Sequence, residues 1–159
     1  MTRRQLLSAL AALGLARPSA AAGASPERSD AVRRSDEEWR KRLTTAQYDV
    51  LRREGTEPPF SSPLNGEKRS GLYRCAGCDL ALFTSGMKFD SGTGWPSFTT
   101  ALPDAVATRT DYKLIFPRTE YHCARCGGHQ GHVFNDGPRP TGKRYCNNGV
   151  ALTFEPQGA

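Results

Sequence analysis

The chain has 159 residues, which is enough for one domain and a short terminal extension. Hydrophobic residues make up 37% and charged residues 24%, as in an ordinary globular domain, while 16 glycines and 11 prolines favour short strands and many turns. The formal net charge is +6, but Arg3, Arg4 and Arg17 lie in a leading segment of 24 residues that has no acidic residue. The 19 remaining Lys+Arg alternate with 16 Asp+Glu and form no basic stripe, which argues against nucleic acid as a partner.

The first 24 residues have the layout of an export signal. Two arginines are followed by an apolar run over residues 6–15 and by small residues around Ala22. A run of about ten residues is too short to cross the hydrocarbon core of a bilayer as a helix. The segment "TRRQLL" resembles a twin-arginine signal, so we expect export to the periplasm. The alternatives are an organellar transit peptide and a cytoplasmic location. Residues 25–35 are polar and small and predict a disordered linker.

Two short helices are predicted to follow the linker. Ser35 with Glu38 three positions later is a capping-box pattern, which marks the start of a helix. Thr44 or Thr45 begins a second short helix, which we expect to end at Gly55. The next stretch, "TEPPFSSPLNGEKRSG", is rich in turn residues and cannot form regular helix.

From Gly71 onwards the chain consists of short β-branched or aromatic segments, each bounded by Gly, Pro, Asp or Asn. We expect strands at residues 72–75, 81–85, 87–89, 108–116, 119–123, 132–135, 144–146 and 150–156. The sequence contains no long amphipathic helix and no repeat of the length found in solenoids. It therefore predicts two small helices that lead into an antiparallel β-domain.

Four of the five cysteines form two Cys-x-x-Cys pairs, Cys75 with Cys78 and Cys123 with Cys126, with 44 residues between them. Two such pairs can supply four thiolates to one tetrahedral ion, and the softness of thiolate favours zinc. Disulfides are the alternative in an exported protein, although a bridge within Cys-x-x-Cys closes a tiny loop and stabilises little. A four-cysteine site is closed to water and substrate, so any chemistry must arise elsewhere.

The fifth cysteine, Cys146, has no such partner. The arginine two positions before it favours the thiolate, and Asn148 can donate hydrogen bonds to an anionic sulfur or a polar oxygen. His129, His132 and Asp136 lie in the preceding segment "GGHQGHVFNDGP". A cysteine with histidine and aspartate is the set of groups used in thiol nucleophilic catalysis. A single cysteine is also often a buried small hydrophobe, so the residues alone leave both interpretations open.

Longer motifs surround this cysteine and a tryptophan. They are "FDSGTGWPSF" at residues 89–98 and "GHVFNDGPRPTGKRYCNNG" at residues 131–149. Together with the two Cys-x-x-Cys pairs they resemble the methionine-R-sulfoxide reductase family, MsrB, in the family's order from about residue 38 to residue 154. The resemblance implies a mainly β fold, with two antiparallel sheets in a barrel-like, zinc-stapled domain and short N-terminal helices. We place this domain at residues 36–156, followed by a tail at 157–159.

The same resemblance implies reduction of the R epimer of methionine sulfoxide, in oxidised proteins or as the free amino acid. Cys146 matches the family's nucleophile, whose thiolate attacks the sulfoxide sulfur and leaves methionine and a cysteine sulfenic acid. His132 matches the catalytic histidine, which protonates the departing oxygen. Asn148 and Asp136 match positions that orient this network.

Trp95 matches the aromatic wall that holds the S-methyl group of the substrate, for which its apolar face is suited. His129 and Arg144 lie beside the network and are assigned to substrate binding with Asp136. The alternatives are a plain core role for Trp95 and a structural role for His129.

The chain departs from the family pattern at Thr93, where many members carry a second redox cysteine. Because the other four cysteines are assigned to metal, only Cys146 remains. We therefore expect a monomeric one-cysteine enzyme whose sulfenic acid is reduced by an external thiol such as thioredoxin. Gln130 and Asn147 are further departures, which place extra polarity near the nucleophile. The competing functions are a zinc-stapled binding module without chemistry and a thiol-disulfide oxidoreductase that uses a Cys-x-x-Cys pair.

Overall fold

A computed structural model describes residues 28–113 and 116–158. The predicted export signal at residues 1–24 and the start of the predicted linker lie outside these residues. No helix within them is long and apolar enough to span a membrane.

The helical elements are α1 (Asp36–Arg42), α2 (Thr45–Arg53) and the 3-10 turns Pro63–Asn65, Ser85–Met87 and Gly149–Ala151. The predicted capping box of α1 is confirmed, because the Glu38 N–H donates to the Ser35 hydroxyl and the Ser35 N–H donates to the Glu38 carboxylate. Thr44 caps α2 with the same arrangement. α2 ends slightly before the predicted Gly55, because Glu54 adopts the left-handed conformation with φ of 57°.

The strands of the described chain are β1 (Gly71–Cys75), β2 (Ala81–Thr84), β3 (Lys88–Phe89), β4 (Ser97–Phe98), β5 (Val106–Asp111), β6 (Arg118–Cys123), β7 (His129–Phe134), β8 (Arg144–Asn147) and β9 (Leu152–Pro156). They form a three-stranded sheet in the order β2-β1-β9 and a six-stranded sheet in the order β3-β4-β8-β7-β6-β5. All pairings are antiparallel. The predicted class, mainly β with two antiparallel sheets and short helices, is confirmed.

Most strand boundaries differ from the prediction by one or two residues, and three differences are larger. β4 was not predicted, because its two residues are too few to show an alternating pattern. β5 ends at Asp111 instead of continuing to residue 116, since the Asp111 carboxylate accepts the Lys113 N–H at 2.9 Å and so turns the chain. β7 begins at His129, three residues earlier than predicted. The prediction missed this start because the first two side chains of β7 are polar but buried.

Aromatic side chains from both sheets form the core between them. Phe83 of β2 stacks on Phe98 of β4, with ring centroids 4.0 Å apart, and meets Tyr121 of β6 edge-on at 6.3 Å. Tyr73 of β1 packs edge-on against Phe98 at 5.0 Å. All four side chains are fully buried, so this cluster holds the two sheets together.

The described part of the predicted linker lies against the second Cys-x-x-Cys pair. The Val32 N–H donates to the Arg125 carbonyl at 2.8 Å, and Asp30 forms an ion pair with Arg125 at 2.9 Å. The structure therefore gives residues 28–34 defined contacts, which their polar composition did not indicate, because those contacts are with residues about 90 positions away.

Candidate active site and metal centre

The two Cys-x-x-Cys pairs come together in one cluster. The four sulfur atoms all lie within 4.8 Å of one another, with Cys75 and Cys126 at 3.7 Å and Cys78 and Cys123 at 3.5 Å. Tetrahedral zinc with Zn–S bonds of about 2.3 Å requires sulfur atoms about 3.8 Å apart, and the distances of 3.7 and 3.5 Å are close to that value. All five cysteines are free thiols in the structure, so the disulfide alternative is absent from it. The cluster can hold a metal ion.

Each pair is formed by a strand end and a turn. Cys75 is the last residue of β1, and its carbonyl accepts the N–H groups of Cys78 at 3.3 Å and Asp79 at 2.8 Å. Cys123 is the last residue of β6, and its carbonyl accepts the Gly127 N–H at 2.9 Å. Because β1 and β6 belong to different sheets, the cysteine cluster connects the two.

A second feature, a cavity of about 140 Å³, contains the fifth cysteine. Its walls include Trp95, Arg118, His132, Cys146 and Asn148. Cys146 on β8 lies directly opposite His132 on β7 in the sheet register. Cross-strand partners project from the same face of a sheet, so the thiol and the imidazole are neighbours in this cavity.

The close approach of strands β7 and β8 depends on Gly131, which is a residue of β7. A Cβ atom at Gly131 would stand 1.9 Å from the carbonyl oxygen of Cys146, far inside van der Waals contact. A side chain at this position would therefore push apart the strands that carry the thiol and the imidazole.

Cys146 is partly buried, and its charged form is disfavoured in the free protein. Burial raises the pKa of the thiol above its ordinary value, while hydrogen bonds from Arg144 and Thr93 oppose that shift. The Arg144 guanidinium is held by two bonds of 2.8 Å to the Asp136 carboxylate and by the face of Phe134. Asp136 therefore acts on the nucleophile through Arg144.

His132 is oriented by a carboxylate that the sequence did not single out. Its Nε2 lies 2.8 Å from Oδ2 of Asp111, which also accepts from Arg118 at 2.6 Å. Burial lowers the pKa of His132 below its ordinary value, and Asp111 opposes this effect. A neutral imidazole with its proton on Nε2 keeps Nδ1 free to accept a proton.

His129 lies behind His132, outside the cavity wall. The two rings meet edge-on with centroids 5.5 Å apart, and Nδ1 of His129 lies 2.7 Å from the Glu120 carboxylate. Glu120 is 2% exposed and also contacts His122 and Arg109. Burial works to raise the pKa of Glu120, but its two histidine partners outweigh burial and bring the pKa to about 2.

Glu57, which the sequence analysis also did not identify, forms hydrogen bonds to both Trp95 and Asn148 of the cavity wall. Its carbonyl accepts the Trp95 indole N–H at 3.1 Å, and its N–H donates to the Asn148 side chain at 3.0 Å. Its carboxylate accepts the N–H groups of Gly149 and Val150 at 2.6 and 2.8 Å, at the start of the last 3-10 turn. The Asn148 amide also donates to the Gln130 carbonyl at 3.0 Å, so Asn148 is firmly anchored.

The structure thus brings Cys146, His132, Trp95 and Asn148 to one cavity, with Arg144, Asp136 and Thr93 behind the thiol and His129 behind the imidazole. The partners missed by the sequence analysis are Asp111, Arg118, Glu57 and Glu120. The alternation of strands β5 and β6 could have paired Asp111 with Arg118, but only the tertiary fold brings them to His132.

Comparison with known proteins gives a consistent result. The family model described as the SelR domain matches residues 43–156. The chain is 54% identical to the peptide methionine sulfoxide reductase MsrB of Leifsonia xyli subsp. xyli over 128 residues, which cover 79% of this chain and 92% of that protein. It is 54% identical to the MsrB of Agrobacterium fabrum over 129 residues, which cover 80% of this chain and 96% of that protein. A chloroplastic peptide methionine sulfoxide reductase B1 of Arabidopsis thaliana is 50% identical over 127 residues, covering 79% of this chain and 63% of that protein. The resemblance seen in the motifs is confirmed, and the chain belongs to the SelR domain family of MsrB peptide methionine sulfoxide reductases.

Proposed function

We propose that this protein reduces the R epimer of methionine sulfoxide to methionine, with Cys146 as the nucleophile. The observation that carries the proposal is the register of β8 and β7, which places Cys146 opposite His132 in a cavity walled by Trp95. The cavity is small, about 140 Å³, which suits one side chain and not a folded surface. Membership of the MsrB family supports the same chemistry.

The first step is a proton transfer between the two neighbours. The thiol of Cys146 gives its proton to Nδ1 of His132, which produces a thiolate and an imidazolium. Arg144 and Thr93 stabilise the thiolate, and Asp111 stabilises the imidazolium. Since burial disfavours each charged form by itself in the resting protein, the thiolate and the imidazolium form together as an ion pair.

The second step transfers the oxygen. The Cys146 thiolate attacks the sulfoxide sulfur while His132 protonates the sulfoxide oxygen. This attack forms a bond between the two sulfur atoms. The protonated oxygen then moves to the Cys146 sulfur as the S–O bond of the substrate and the S–S bond break, so that methionine leaves with the electron pair on its sulfur and Cys146 becomes a sulfenic acid. Trp95 holds the S-methyl group through its apolar face, and Asn148 lines the same cavity.

The sulfenic acid is returned to the thiol by an external dithiol of the thioredoxin kind. One external thiol displaces the hydroxyl as water and forms a mixed disulfide, which the second thiol resolves. An internal route lacks a thiol, because Thr93 stands beside Cys146 and the other four cysteines form the metal cluster. The protein substrates are oxidised proteins that present methionine-R-sulfoxide.

We propose zinc as the metal of the four-cysteine cluster. Four thiolates are a ligand set that zinc prefers, and the two histidines near the cluster in sequence, His122 and His129, contact Glu120 instead. When bound, zinc serves as a structural cross-link between the two sheets. The pair Cys75 and Cys78 and the pair Cys123 and Cys126 would be its ligands.

We further propose that the protein is exported, on the strength of the first 24 residues alone. Deletion of this segment is expected to leave the protein in the cytoplasm, as measured by cell fractionation. Replacement of both Arg3 and Arg4 by lysine should block export if the twin-arginine route is used. Export that persists with two lysines would point to a general secretory signal.

A single-turnover experiment tests the enzymatic proposal. Purified protein is mixed with methionine-R-sulfoxide without reductant, and methionine, protein mass and zinc content are measured. We expect one equivalent of methionine, one zinc and a sulfenic acid at Cys146 that dimedone traps, and no reaction with the S epimer. Absence of methionine with any added thiol would favour a zinc-stapled binding module. A disulfide between Cys146 and a cysteine of the cluster, with loss of zinc, would overturn the division of the cysteines.

A further inference from the structure

Two amide side chains are fully buried, Gln130 beside Cys75 of the cysteine cluster and Asn147 at the wall of the cavity. A buried amide without partners costs a few kcal/mol, so both must be hydrogen-bonded to be tolerated. Neither belongs to the metal ligands or to the cavity groups that carry out the proposed reaction. They occupy the positions next to His129 and Cys146 on β7 and β8.

The hydrogen bonds of these amides form a directed chain. The Tyr121 hydroxyl donates to Oδ1 of Asn147 at 2.6 Å, and Nδ2 of Asn147 donates to Oε1 of Gln130 at 3.4 Å. Nε2 of Gln130 then donates to the sulfur of Cys75 at 3.4 Å. Every donor in the chain points towards that sulfur, so the three group dipoles are aligned head to tail.

Such alignment matters only if the acceptor at the end carries negative charge. Four thiolates around a divalent ion leave about two negative charges in excess. Cys75 is 1% exposed, so water cannot solvate its share of that charge. An N–H donor from the protein reduces the repulsion among the thiolates, and aligned hydrogen bonds polarise one another.

We propose that Gln130 is a positioning residue of the metal centre, whose amide stabilises the Cys75 thiolate, and that Asn147 and Tyr121 hold this amide in orientation. Asn147 directly follows Cys146, and its N–H donates to the Pro96 carbonyl at 2.9 Å beside Trp95. The chain of bonds thus connects the metal centre with the strand of the nucleophile. The proposal depends on the zinc assignment and is independent of the reductase chemistry.

Zinc release tests the proposal. Wild-type protein is loaded with zinc, its zinc content is measured, and release into an excess of a chromophoric chelator is followed at constant pH. Gln130→Met keeps the volume but removes the donor, and we expect release about 10 to 100 times faster. Asn147→Leu should give a smaller acceleration, because the Gln130 amide remains but loses its orientation. Gln157→Met, at an exposed position, is the matched control and should not change the rate.

The double variant separates this role from simple loss of packing. Because Asn147 acts through Gln130, Gln130→Met with Asn147→Leu should release zinc no faster than Gln130→Met alone. The proposal would be overturned if the accelerations of zinc release in the two single variants multiply in the double variant. It would also be overturned if Gln130→Met releases zinc at the wild-type rate. If both variants fail to fold with zinc, Tyr121→Phe removes only the first hydroxyl of the chain and should still accelerate release a few-fold. A wild-type protein that retains no zinc would refute the metal assignment itself and leave the reductase proposal standing.

Discussion

The orientation of His132 by Asp111 leads to a sharp prediction for Asp111→Asn. The carboxylate accepts from His132, Arg118 and the Lys113 N–H at 2.8, 2.6 and 2.9 Å, and its side chain is 9% exposed. An amide has nearly the same shape, so the fold should be kept. If its NH₂ group faces His132, the imidazole must present a lone pair at Nε2, and its proton moves to Nδ1. The imidazole then no longer accepts a proton from Cys146.

The magnitude follows from the interaction that is lost. A hydrogen bond to a charged partner contributes about 1.5–3 kcal/mol, which corresponds to a fall in kcat/KM of about 10- to 150-fold. The pH profile should also change. Activity requires neutral His132 and a protonated Cys146 before the proton transfer, so its acid limb reports the pKa of His132. Since Asp111 raises that pKa, its removal should move the acid limb to lower pH.

The assay is kcat/KM for methionine-R-sulfoxide against pH, with thioredoxin in excess. Asp136→Asn is the matched control, because Asp136 contacts Arg144 and not His132. It should leave the acid limb in place. Wild-type activity in Asp111→Asn, or an equal shift of the acid limb in Asp136→Asn, would show that the reasoning is wrong.

Two further predictions concern stability and the thiol. Glu57→Ala removes two charge-assisted hydrogen bonds to backbone N–H groups and should lower the free energy of unfolding by about 3 kcal/mol in urea titrations of the metal-loaded protein, with Glu57→Gln losing about half as much. A loss under 1 kcal/mol in Glu57→Ala would mean that water replaces the carboxylate. Arg144→Met should raise the pKa of Cys146 further, because the guanidinium lowers it. Alkylation of Cys146 by iodoacetamide should then reach half its maximum at higher pH than in the wild type, and an unchanged midpoint would contradict the assigned contact.

The sequence predicted the parts of the site that short motifs contain. Each Cys-x-x-Cys pair is visible in the printed chain as a local spacing, whereas the roles of Cys146 and His132 were implied by the resemblance of longer motifs to the MsrB family. Asp111 was missed because it occurs in no motif, and it reaches His132 only through the order β5-β6-β7. Glu57 was missed for a related reason, since its carboxylate binds N–H groups 92 and 93 residues away.

The fold was predictable where side chains alternate and less so where polar groups are buried. Gln130 is a polar residue with no exposed surface, so the start of β7 looked like a turn. Its amide is accommodated only because Asn147 and Cys75 supply partners from other strands. Information of this kind is contained in pairs of distant residues and cannot be read from the pattern of one segment.

The pairing of β1 with β9 has a consequence for biosynthesis. Gly71 lies opposite Pro156, so the first strand of the described residues completes its sheet only with the last one. Until β9 has been synthesised, β1 and β2 form an isolated hairpin, which is at best marginally stable in water. All four cysteines of the cluster precede Cys146 in the chain, so a nascent chain carries the complete ligand set before it carries the reactive thiol. The order of synthesis therefore allows the metal to be bound first, when no fifth thiolate competes for it.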